Sequence, residues 1–136
     1  MDRNRKLTDY PLHVEMQTRW RDLDAFQHIN NATILSYMED ARVALFNRWG
    51  INYKETGLIV AGIKIDYLQQ IEHPSKLEIG SRISRLGTKS FDLESVIFLK
   101  GTDETLALMT CYTVCFDFVL NKSIPVFEKI KKDYKI

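Results

Sequence analysis

One stretch of this chain, from about Asn30 to Arg48, has helical periodicity and is apolar around most of its circumference. Ala32, Leu35, Met38, Arg42, Leu45, Phe46 and Trp49 recur at three- and four-residue spacing, and Ile34, Tyr37, Ala41 and Ala44 fill much of the remaining surface. A helix of that kind is buried rather than laid along an edge. The rest of the chain must therefore supply enough surface to wrap it. Gly50 follows at the position where a left-handed residue usually ends a helix.

The flanking segments supply that surface as strands. Leu12 to Arg21 reads as a first strand, with Val14, Met16, Thr18 and Trp20 on one face. After the helix the period drops to two. Leu58–Leu68 is one strand, and Leu77–Leu86 is the next, its Leu77, Ile79 and Ile83 alternating with Glu78, Arg82 and Ser84. Gly87-Thr88-Lys89 turns the chain into Phe91–Lys100, and Gly101-Thr102-Asp103-Glu104 turns it again. Thr105–Val119 is apolar on both faces, as for a strand in the middle of a sheet or beneath another subunit. Pro125 opens a short C-terminal helix, Val126 to Tyr134. The order predicts an α+β fold: an antiparallel sheet of about five strands wrapped around one long central helix. One helix cannot cover both faces of such a sheet, so the uncovered apolar residues predict a two-fold partner. The 136 residues fit one domain, 1–136.

Charge narrows the function. A formal net charge of +1 leaves no basic footprint for nucleic acid and no general draw to anionic membranes. The charged N-terminus, Met1 to Lys6, is followed by no apolar run, so neither a signal peptide nor a membrane span is predicted. Cys111 and Cys115 lie four apart in a strand, roughly 13 Å between Cα atoms at the usual rise. A disulfide needs less than about 7 Å, so two free thiols and a cytoplasmic location are expected. The pair has no His or Cys partners nearby in sequence, and it reads as packing rather than a zinc site.

The chemistry concentrates in Arg19-Trp20-Arg21-Asp22-Leu23-Asp24-Ala25-Phe26-Gln27-His28-Ile29-Asn30-Asn31. A strand-like run ends in two acids, a short loop carries a histidine, and two asparagines open the helix. A helix start offers free backbone N–H groups and positive partial charge. A carboxylate facing it can attack a carbonyl, or direct water at it, while those N–H groups hold the carbonyl oxygen. The same residues also allow a plainer account: Asp24 as a turn former, Asn30 as a helix cap and His28 as a loop anchor.

Asp22 to Asn31, followed by Tyr37, Glu39, Ala41 and Arg42, resembles the hotdog-fold acyl-CoA thioesterases of the 4-hydroxybenzoyl-CoA thioesterase type. Ile65-Asp66-Tyr67-Leu68 and Gly87-Thr88-Lys89-Ser90 are similar to that family's second strand and third hairpin. The resemblance implies a hotdog fold and hydrolysis of an acyl-CoA to free acid and CoA, without metal or cofactor. It implies Asp24 as nucleophile or general base, the backbone N–H of Asn31 as oxyanion donor, and His28 orienting substrate or carboxylate. The acyl chain would enter an apolar channel between subunits of a homodimer or homotetramer. The family usually has Gly where this chain has Gln27, which points away from a hydroxybenzoyl group and toward a fatty or other aliphatic one.

The remaining candidates have two readings each. Glu39 is a rival carboxylate, two turns into the helix, or the partner of Arg42 at i,i+3. Tyr37 lines the acyl channel or fills the core. Arg82, Arg85, Lys89 and Ser90 would suit the phosphates of CoA, or form a solvated strand face. Lys129, Lys131, Lys132 and Lys135 read as solubilising surface. The alternative functions are hydrolysis of an acyl group on acyl carrier protein and a non-catalytic acyl-CoA-binding module. A dehydratase is disfavoured, because the only later histidine, His73, precedes Pro74.

Overall fold

In the computed structural model, residues 5–134 are described; Lys135 lies outside them. The elements are β1 (Leu12–Gln17), a 3-10 turn (Trp20–Asp22), α1 (Asn31–Trp49), β2 (Thr56–Tyr67), β3 (Lys76–Leu86), β4 (Ser90–Leu99), β5 (Thr105–Asp117), β6 (Lys122–Ser123) and α2 (Glu128–Asp133). All pairings are antiparallel. The strands run β1-β3-β4-β5-β2 across the sheet, with β6 added to the end of β5. This is the hotdog arrangement: a curled antiparallel sheet around one long helix.

Register explains the wrapping. Ile79 pairs with Ile97, Ile97 with Ala107, and Leu93 with Cys111, so these side chains share one face across three strands. That face closes on Ile34, Tyr37, Met38, Ala41, Leu45 and Trp49 of α1 in one continuous core. Met38, Leu77, Ile79, Ile97 and Met109 are fully buried, each such burial contributing about 1.5–3 kcal/mol. Ser81 and Ser95 are buried as well and satisfy each other at 2.8 Å. β5 sits between β4 and β2, as its two apolar faces predict.

The opposite face is covered in part by the N-terminal segment. Tyr10 packs on Val96 and Phe98, and Leu7 joins them. Gly80 makes this possible, because a Cβ there would stand 2.7 Å from Tyr10 Cβ.

Three sequence expectations are corrected. The first strand ends at Gln17, not Arg21. Thr18 still pairs with Ser75, its N–H donating to Ser75 O and its hydroxyl accepting from Ser75 N–H, and the 3-10 turn Trp20–Asp22 then carries Trp20 out to 78% exposure. The central helix is not buried all round: Asp40, Val43, Ala44 and Asn47 are exposed. The terminal helix is shorter than predicted, because Val126 donates its N–H to Thr88 O and Phe127, still extended, is the cap from which the helix starts. No helix among the described residues is long and apolar enough to cross a membrane.

Candidate active site

The loop before α1 is a small closed device. A bridge between Leu23 and Ile29 ties its ends. Inside it, Asp24 N–H donates to His28 O at 2.9 Å and Gln27 N–H donates to Asp24 O at 3.1 Å. Gln27 takes φ 65°. This is a tight turn followed by a left-handed residue, the usual three-residue hairpin connection. Glycine adopts that backbone without strain, which gives a physical reason for glycine where this chain carries Gln27.

Asp24 stabilises the turn and keeps an oxygen in reserve. Its Oδ1 accepts from Phe26 N–H at 2.8 Å, an Asx turn, and more weakly from His28 N–H at 3.4 Å. Its Oδ2 has no hydrogen-bond partner among the described residues. One oxygen of the carboxylate thus serves the turn, and the other stays open.

The helix start is built from the next residues. Asn30 caps it, its side-chain oxygen accepting from Ala32 N–H at 2.8 Å, while its own N–H donates to Asp22 O at 3.0 Å. Asn31 is the first helical residue. Its N–H has no partner among the described residues, as a first-turn donor should. Its C=O accepts from the Tyr67 hydroxyl at 3.1 Å, which ties β2 to this end of the helix.

A cavity of about 540 Å³ opens here. Asp24, His28, Asn30 and Asn31 line its polar side, and Phe26, Ile29, Ile34, Tyr67 and Leu68 its apolar side, with Gln69 and Gln70 beyond. The His28 ring Nδ1 is buried without a hydrogen-bond partner.

The other sequence candidates lie away from this cavity. Tyr37 is buried at 3% exposure and its hydroxyl donates to Asp22. Burial, then the Asp22 carboxylate, pushes the Tyr37 phenol up. Glu39 accepts from Arg42 Nη2 at 2.8 Å, the i,i+3 pair. Arg82 donates to Glu94 at 2.6 Å and lies 4.9 Å over the Tyr10 ring. Ser90 accepts from Arg85, which pairs with Asp92 at 3.0 Å. Lys89 is exposed. Sequence reasoning missed Phe26, Gln69 and Gln70 as cavity walls. The polar pair Gln69-Gln70, directly after an apolar strand, was the available signal. Among the described residues no three His, Cys, Asp or Glu side chains group as metal ligands.

A family model described as the thioesterase-like superfamily matches residues 18–133. The chain belongs to this superfamily. This thioesterase-like chain is 27% identical over 126 residues to the long-chain acyl-CoA thioesterase FadM of Escherichia coli (strain K12), covering 89% of this chain and 95% of that one. It is 30% identical over 88 residues to YsmA of Bacillus subtilis (strain 168), a match spanning 63% of this chain and 60% of that protein. A thioesterase of Thermus thermophilus, solved with coenzyme A and Zn, superposes with a TM-score of 0.77 at 30% identity, covering 93% of this chain and 99% of that one. The thioesterase-like chain is accordingly a thioester hydrolase of hotdog fold.

Proposed function

We propose that the protein hydrolyses fatty or other aliphatic acyl-CoA thioesters at the open N-terminal end of α1. The observation that carries this is the shared cavity of an unpartnered Asp24 oxygen and an unpartnered Asn31 N–H. A thioester carbonyl lying between them meets a nucleophile or base on one side and an oxyanion donor on the other. Asp24 takes the proton of an attacking water, or itself bonds to the carbonyl carbon and is released by water. In either course the oxygen gains negative charge beside the Asn31 N–H, the C–S bond breaks, and CoA leaves as thiolate to be protonated. A thioester is already activated, so a fixed carboxylate and an oriented dipole suffice.

Coenzyme A in the Thermus relative and the long-chain acyl-CoA activity named for FadM support CoA esters over other thioesters. The apolar wall of Phe26, Ile29 and Ile34 supports an aliphatic acyl group. His28 lines the cavity, which suits its ring to a substrate or carboxylate contact, although its Nδ1 is buried away from that space. Lys89, exposed on the β3–β4 turn, remains the candidate for CoA phosphate once Arg82 and Arg85 are discounted as ion-paired. The β2 edge has no strand partner among the described residues, and Ile59, Ile63 and Tyr67 on it are exposed. A second copy there would complete the channel.

The test is CoA thiol release from short, long and aromatic acyl-CoAs by wild type, Asp24→Asn and Glu39→Gln. Aliphatic turnover lost in Asp24→Asn and kept in Glu39→Gln is the expected result. Equal loss in both would move the chemistry to the helix carboxylate. Binding without turnover would make the protein an acyl-CoA-binding module, and turnover only on acyl carrier protein would change the substrate.

A further inference from the structure

Two acids two residues apart, Asp22 and Asp24, are treated oppositely by the fold. Asp22 is 6% exposed and fully engaged. Its Oδ1 accepts from Arg19 Nη2 at 3.0 Å; its Oδ2 accepts from Arg19 Nε at 3.1 Å, from Arg19 N–H at 3.3 Å and from the Tyr37 hydroxyl at 2.5 Å. Burial acts to raise this carboxyl, but the donors from Arg19 and Tyr37 outweigh it and hold it below its ordinary range. A buried, ionised carboxylate with both oxygens already accepting is held by the fold rather than offered to a substrate. Its main chain is committed too: its N–H donates to Arg19 O, and its C=O receives Asn30 N–H, both at 3.0 Å.

These bonds join the two halves of the site. The loop carries Asp24 and the helix carries Asn31. Asn30 N–H to Asp22 O ties them at the cavity mouth. Tyr37, six residues along α1 from Asn31, leans back along the helix as side chains there do and ties them again through the Asp22 carboxylate. Two ties to one loop residue, one from the cap and one from a later turn of the helix, fix an angle as well as a distance. Between Asp22 and Asp24 stands only Leu23, whose own position is held by its bridge to Ile29. We infer that Tyr37 and Asp22 are positioning residues of the hydrolase: together they aim the Asp24 carboxylate relative to the oxyanion donor and touch no substrate. This rests on the function proposed above.

Removing one hydroxyl loosens the angle without opening the core. A catalytic group displaced by about 1 Å can cost on the order of 100-fold in rate, so a partial slackening should cost about 10-fold. Tyr37→Phe keeps the buried ring and loses the bond to Asp22. The expected result is kcat down about 10-fold with KM within about twofold, the pattern of an interaction realised in the transition state. The decisive comparison repeats Tyr37→Phe in an Asp24→Asn background, where there is no carboxylate to aim. There the further loss should be smaller than in the wild-type background, since residues acting through one another are non-additive. An equal or greater loss means that Tyr37 serves the fold alone and overturns the inference, as does an unchanged kcat in the single variant. If Tyr37→Phe does not fold, Arg19→Gln loosens Asp22 from the solvent side, and the same non-additivity must appear. Failure of the functional reading is visible separately, in wild type without turnover or in an active Asp24→Asn.

Discussion

The two ends of α1 begin with the same problem and solve it in opposite ways. Each end of a helix leaves backbone groups without intrahelical partners. At the C-terminal end Gly50 turns at φ 70° and its N–H returns to the last carbonyls. Arg48 then donates twice to Asp133 of α2, at 2.7 and 2.6 Å, and Trp49 Nε1 donates to the same carboxylate at 2.7 Å. That end is sealed by a second element. At the N-terminal end the cap satisfies Ala32 N–H, the Asn31 N–H stays open, and a cavity stands where a covering element would be. The sealed end holds the fold together, and the open end is left able to bind charge.

The contrast makes graded predictions. Asp24→Asn, at the open end, should lower turnover by roughly 10²–10⁴-fold while its urea midpoint stays close to wild type; a comparable loss of stability would mean that Asp24 belongs to the frame. Asp133→Ala should do the reverse. It strands Arg48 and Trp49 and should cost about 2–3 kcal/mol of unfolding free energy, the scale of hydrogen bonds to a charged group, with kcat within about twofold. Gly50→Ala forces a side chain into left-handed backbone and should cost about 1–2 kcal/mol, again without a kinetic effect. Gln27→Gly is the matching change at the open end. It relieves the same kind of strain but frees the unfolded chain, so a gain of only about 0.5 kcal/mol is expected, with turnover kept. A kinetic penalty there would show that the Gln27 side chain itself serves the reaction.

Much of this was legible in the sequence, because periodicity is local. The helix from Asn31, its cap, its glycine stop and the order of the strands all follow from spacing over ten to twenty residues. The end of β1 was not legible. Trp20 continues the apolar alternation, and only the 3-10 turn from Trp20 to Asp22, which spacing does not announce, ends the strand. The packing of Tyr10 against Gly80 is hidden for the same reason. At the site, the pattern Asp24–His28–Asn31 was visible and its spacing allowed this chemistry, but only a family likeness chose it over a turn, a cap and a loop anchor. Which of two neighbouring acids is free is a matter of who donates to each, and one of the donors to Asp22, beside Arg19, is Tyr37, a residue whose place in the helical pattern marks it only as core.

Cys111 and Cys115 are both fully buried, and burial pushes both thiols up. A thiol-trapping dye therefore finds little thiolate on the folded protein. In an assay that follows released CoA with such a dye, the enzyme is its own blank. The same silence makes the pair a clock: dye uptake in the absence of substrate would time the opening of β5 from the sheet, and so report how often the core comes apart.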